Sequence, residues 1–140
     1  LFLLEQASSA IRAGKHLEAE ALLGSGLAAL DRDTRPRMPG ERALWLFKRG
    51  LARYGRDRRP EAAADLEESL RSLPADWVRA RAHLTLGKIA DLNNRRTDAI
   101  GHYQRAQQAG TYARDQAAVS EAARLVNQPF VRRAAVRRQG

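Results

Sequence analysis

His83-Leu84-Thr85-Leu86-Gly87 is followed, twelve residues after the glycine, by Ala99-Ile100-Gly101-His102-Tyr103. Counted from Gly87, small residues stand at offsets twelve (Ala99) and nineteen (Ala106), with the large Tyr103 at sixteen. The same offsets from Gly50 reach Ala62, Leu66 and Ser69, with Pro74 at twenty-four. From Ala7 they reach Ala19, Leu23 and Gly26. A small residue in one helix lets the next helix approach, a small residue there accepts the approach, and the large residue fills the wedge between pairs. The anchors are 43 and 37 residues apart, and self-similarity at such a period is the mark of a helical-repeat chain.

The segments around these anchors read as helix. Ala, Leu, Arg, Glu and Gln dominate, and these are the best helix formers. β-Branched residues never alternate, so no strand is expected. Breaks fall at Gly14, Arg32 to Gly40, Gly55 to Arg59, Leu73 to Asp76, Asn93 to Arg96, and Gly110. Pro60 suits a first helical turn and Pro74 ends a helix. The expectation is about seven helices, at 2–13, 15–31, 41–54, 60–72, 76–92, 97–109 and 112–126. Short linkers make neighbouring helices antiparallel. The longer 32–40 linker, with two prolines, reads as an insertion or a mobile loop.

These units resemble the tetratricopeptide repeat, whose pattern runs W-x2-L-G-x2-Y, A-x3-F, P. His83 to Gly87 with Ala99 to Tyr103 matches it best, then Leu46 to Gly50 with Ala62 to Leu66 and Pro74. His83 and Leu46 replace the family's Trp, and Ala90 and Arg53 its Tyr. The resemblance implies an all-α, right-handed α-solenoid of antiparallel helix pairs. Its repeats would span about 1–33, 43–76 and 80–113, with a capping helix at 114–126, together a 1–126 domain. Residues 127–140 form a basic C-terminal tail. In that tail Pro129-Phe130-Val131 is expected to fold back on the last helix. Arg132 to Gly140 has little to bury and is expected to be mobile unless a partner orders it.

The chain has 140 residues, 44% of them apolar, which suits one domain with a core rather than a disordered chain. No apolar run is long enough to span a membrane. Zero Cys excludes disulfides, thiol catalysis and iron–sulfur clusters. The compartment is left open, with cytoplasm expected over periplasm. Starting at Leu1 without Met, the chain reads as a piece of a longer protein. Of its net charge of +9, residues 32–60 carry +7 and residues 131–140 carry +4. Such clusters attract polyanions. Yet 22 Arg and 26 Ala also fit the codon bias of a GC-rich, bacterial genome.

Nothing in the residues points to catalysis, a metal or a cofactor. His16, His83 and His102 form no local metal pair, and no partner is placed to make any of them a general base. Glu67 and Glu68 point about 100° apart on a helix. Ser8-Ser9 lacks a nucleophile elbow. Gly24-Ser25-Gly26 has neither a preceding strand nor a following Lys, as a phosphate loop requires.

A non-catalytic protein-interaction module, a scaffold or adaptor, is therefore the expected function, with a peptide or partner domain in a concave groove. The resemblance places Leu44, Phe47, Lys48, Leu51 and Tyr54 on that groove. The third unit adds Arg81, Leu84, Lys88 and Asp91, and the first adds Leu4, Ser8 and Ile11. The carboxylate clamp of co-chaperone members is largely missing. Leu4, Ser8 and Thr85 replace its Lys, Asn and Arg, Lys48 replaces a second Asn, and only Arg81 fits. One alternative is a nucleic-acid or anion-binding helical domain that uses the basic 32–60 region, with Arg53, Arg56, Arg58 and Arg59 as its surface, and the Arg-rich tail. Another is a regulatory segment of a larger enzyme.

Overall fold

The computed structural model describes residues 2–132, which hold seven α-helices and no strand. They are α1 (Phe2–Arg12), α2 (His16–Arg32), α3 (Glu41–Gly55), α4 (Arg59–Arg71), α5 (Asp76–Leu92), α6 (Arg96–Ala113) and α7 (Gln116–Asn127). No described helix is long and apolar enough to cross a membrane. Each helix packs on its chain neighbours, and α1, α3, α5 and α7 also touch in succession. No such contact links α2 to α4 or α4 to α6. The odd-numbered helices thus form one continuous layer, and their shared face positions the candidate site.

The aligned small and large residues are all buried: Ala7, Ala19, Leu23 and Gly26; Gly50, Ala62, Leu66 and Ser69; Gly87, Ala99, Tyr103 and Ala106. A methyl group added at Gly50 would meet the Leu66 side chain at 2.9 Å. One at Gly87 would meet the Tyr103 ring at 2.4 Å. Glycine at these two positions is what allows α3 to meet α4, and α5 to meet α6, at this distance. Ser69 is reconciled with burial by its hydroxyl, which donates to the Ala43 carbonyl at 2.6 Å.

The repeat spacing also governs the turns. After α1, α3 and α5 the chain enters the left-handed region at Gly14, Asp57 and Asn94. The next residue in each case donates its amide five residues back: Lys15 to Ala10, Arg58 to Arg53, and Arg95 to Ala90, at 2.8–2.9 Å. These closures satisfy the last carbonyls of each helix. They recur at the 43- and 37-residue spacing of the packing anchors.

One expected break is absent. Gly110 lies inside α6, which runs on to Ala113. Its missing side chain admits Val119 of α7, whose Cγ2 would lie 2.8 Å from an added methyl group. The turn comes instead at Arg114, with φ of 57°. The 33–40 linker is held by Arg37 donating to the Leu30 carbonyl at 3.1 Å, and by Arg35 paired with Asp33.

Candidate functional site

The shared face of α1, α3 and α5 has two ends that differ in what covers them. At the open end, Leu4 of α1, Leu44 and Trp45 of α3, and Trp77 and Val78 of α5 line a cavity with Met38 and Pro39 of the linker. A second depression continues from it past Glu5, Ser8 and Arg12 to Lys48, sharing Leu4, Leu44 and Trp77. The Trp77 ring meets Phe47 edge-on at 5.9 Å and is 40% exposed. The Lys48 ammonium lies 5.9 Å from the centre of the Trp77 ring. Lys48 is half-buried and makes no salt bridge with any described residue. Burial, with Arg12 and Arg81 nearby, lowers its pKa below the ordinary lysine value.

The other end is filled. Asp91 has a side chain only 2% exposed and accepts from three donors at once, two on α6 and one in the segment after α7. Arg96 of α6 donates at 2.9 Å, the Tyr103 hydroxyl at 2.7 Å, and the Phe130 amide at 2.9 Å. Burial, then the hydrogen bond to Asp91, raises the Tyr103 pKa far above the ordinary phenol value. Arg96 also donates to the Leu125 and Val126 carbonyls, tying off α7. Lys88 pairs with Glu121 of α7 at 2.7 Å and lies 5.2 Å from the centre of the Phe130 ring. Arg81 forms a two-pronged pair with Asp115, at 2.7 and 2.9 Å. That hydrogen bonding holds the Asp115 carboxyl below its usual pKa.

These positions correct part of the expected groove. Phe47 and Leu84 are buried, 1% and 4% exposed, and belong to the core. Asp91 is likewise internal. Arg81 and Lys88 lie on the face but are paired to the α7 side, and Tyr54 is covered by Arg132. Leu51 packs, half-buried, against the core. Leu44 and Lys48, with Leu4 and Ser8 of α1, line the open depressions. Ile11 packs on the core instead. Arg12, Trp77 and Met38 line these depressions without a place in the expected groove. Trp77 stands four residues before Arg81, on the same side of α5, and Arg12 four after Ser8 on α1. Met38 offered no periodic signal, because the linker brings it in.

The alternative basic surface is largely neutralised by the protein's own acids. Arg53 pairs with Asp65 at 3.0 Å and with Glu20, and Arg56 also pairs with Glu20. Arg59 pairs with Asp57 at 2.8 Å and reaches the Leu92 carbonyl. Only Arg58 is loosely held, 4.0 Å from Glu61. The expected basic tail from residue 133 onward lies outside the described residues.

The histidines yield one pairing that the sequence did not signal. His83 Nδ1 lies 3.0 Å from His102 Nδ1, across α5 and α6. Burial, then His102, Arg105 and Arg79, lowers the His83 pKa to about 4. The pair is therefore neutral near pH 7. Among the described residues, no group of three or more His, Cys, Asp or Glu is placed to hold a metal ion. No protein-family model matches this chain, and neither a curated protein nor a solved structure does.

Proposed function

We propose that this chain is a tetratricopeptide-like interaction module, a right-handed solenoid of antiparallel helix pairs with a capping helix. Its open end holds a partner segment in which an apolar side chain is followed by an acidic group. Support for the solenoid comes from the succession of odd-numbered helices in one layer and from the turn that recurs with the packing anchors. Support for the ligand rests on one observation: Lys48 is a half-buried cation with no carboxylate partner among the described residues, beside an exposed tryptophan and an apolar cavity. Arg81 and Lys88 on the same face already have carboxylates of their own. A partner carboxylate would supply the missing charge on Lys48 and Arg12, while its apolar neighbour enters the cavity between Leu4, Leu44 and Trp77. The module acts as a scaffold or adaptor and carries out no reaction itself.

The test is fluorescence anisotropy with labelled peptides that carry an apolar–acidic pair, against the same peptides with the acid amidated. Binding of the acidic series, lost on Lys48→Met but not on Arg58→Glu, is the expected result. Retention of nucleic acid or another polyanion, lost on reversing Arg56, Arg58 and Arg59 and with moderate salt, would replace this reading by the electrostatic one.

A further inference from the structure

After α7 the chain turns back across its own odd-helix face, and the contacts it makes there have the character of ligand recognition. Phe130 packs, partly buried, against the cluster that contains Leu84 and Leu125. Its amide donates to the buried Asp91, and its ring lies under the Lys88 ammonium. Two residues on, Arg132 donates to the Tyr54 carbonyl at 3.0 Å and to Asp57 at 2.8 Å. Its guanidinium also lies 5.0 Å from the centre of the Tyr54 ring. A main-chain bond, an aromatic seat and a cation seat are thus all filled by Phe130-Val131-Arg132 in non-helical backbone. Val131 points away and is 76% exposed, so the alternation of an extended segment is kept.

We infer that residues 128–132 are a detachable strap, an internal occupant of a recognition site for an extended aromatic-x-arginine segment. The site is formed by Tyr54 and Asp57 at the end of α3 and by Lys88 and Asp91 at the end of α5. The Arg132 end of the strap is held at the protein surface, on the exposed Asp57 carboxylate, and only Phe130 reaches the core beneath. Segments of that kind open locally, without global unfolding. While the strap is docked, a partner reaches only the open end of the face. When it lifts, the face extends to the end of α3. This inference rests on the contacts of the strap and does not depend on the occupant of the Lys48 end.

The experiment uses the full chain carrying Phe130→Ala and Arg132→Ala, which loosen the strap. The probe is the amidated, fluorescein-labelled peptide Asn-Gln-Pro-Phe-Val-Arg. Tenfold or tighter binding to this variant than to the parent is expected, with loss when the peptide's Phe becomes Ala. No binding to a variant that keeps its helical circular dichroism, or equal binding to both chains, overturns the inference. Should the variant not fold, hydrogen exchange on the parent decides. The Phe130 amide is expected to exchange at least a hundredfold faster than the Tyr103 amide. Exchange at the same rate as the core overturns the inference.

Discussion

The two ends of the odd-helix face are built from similar residues, a lysine and an aromatic on each, yet they have opposite fates. At one end Lys88 and Phe130 share a network with Glu121, Asp91, Arg96 and Tyr103. At the other, Lys48 and Trp77 face each other beside a largely apolar cavity, and Lys48 makes no salt bridge with any described residue. The difference lies in what the chain brings over each surface. Helix α7 and the strap reach the ends of α5 and α3, while at the beginnings of α3 and α5 the linker residues Met38 and Pro39 border a cavity and leave it open. Charge that is satisfied internally supports the fold, and charge left half-buried and unsatisfied is available for a partner.

The comparison is most directly broken at Asp91. Asp91→Ala leaves the Tyr103 hydroxyl, the Arg96 guanidinium and the Phe130 amide without their shared acceptor. The expected loss is roughly 3 kcal/mol of folding stability, read by chemical denaturation. A change below about 1 kcal/mol would mean that the filled end is not what holds α5, α6 and the strap together.

Next in size is the packing contact under the same end. Gly87→Leu drives a side chain into the Tyr103 ring and is expected to cost about 1–3 kcal/mol. Gly101, on the facing helix, has nothing within 4 Å of an added methyl group. Gly101→Ala is therefore expected to stabilise by up to about 1 kcal/mol. Opposite signs in a pair of thermal melts sharpen the distinction between contact and open glycines, and equal signs remove the packing argument.

A pH titration tests the neutral histidine pair, which packs between α5 and α6. With the folded pKa of His83 at about 4, below its ordinary value near 6.5, the unfolded chain binds a proton first. Stability is therefore full above about pH 6.5 and falls as the pH drops toward about 4. His102, Arg105 and Arg79 face His83, and each disfavours a charge there. Denaturation midpoints for the parent and His83→Gln between pH 7.5 and 4 check this. Equal slopes in the two proteins would remove His83 as the cause.

The smallest stability effect belongs to the open end. Lys48→Met removes a half-buried charge that has no acid partner among the described residues, and its long apolar stem is kept. The folding stability is expected to change by less than about 0.5 kcal/mol, or to rise slightly. Peptide binding should be lost with it. A large destabilisation would show that the two ends do the same structural work.

The helices and their punctuation were readable in one dimension, because propensity, proline placement and turn chemistry act over a few residues. The sequence also carried the packing register: Ala7, Gly50 and Gly87 with their partners are one helix pair apart, and their small size is visible without a structure. Gly110 is the exception. A glycine that ends a helix and one that admits Val119 read alike in one dimension. The site was legible only in outline. Leu44 and Lys48 do line the open surface, but Phe47, Leu84 and Asp91 share their helical faces and are buried. The tertiary structure alone decided which of them is covered, because the covering groups come from far along the chain. Asp91 meets Phe130, Tyr54 meets Arg132, and Arg81 meets Asp115. A charge on a helix face looks the same in sequence whether it meets solvent, a partner or a counter-charge 75 positions away. Only the path of the chain in space distinguishes them.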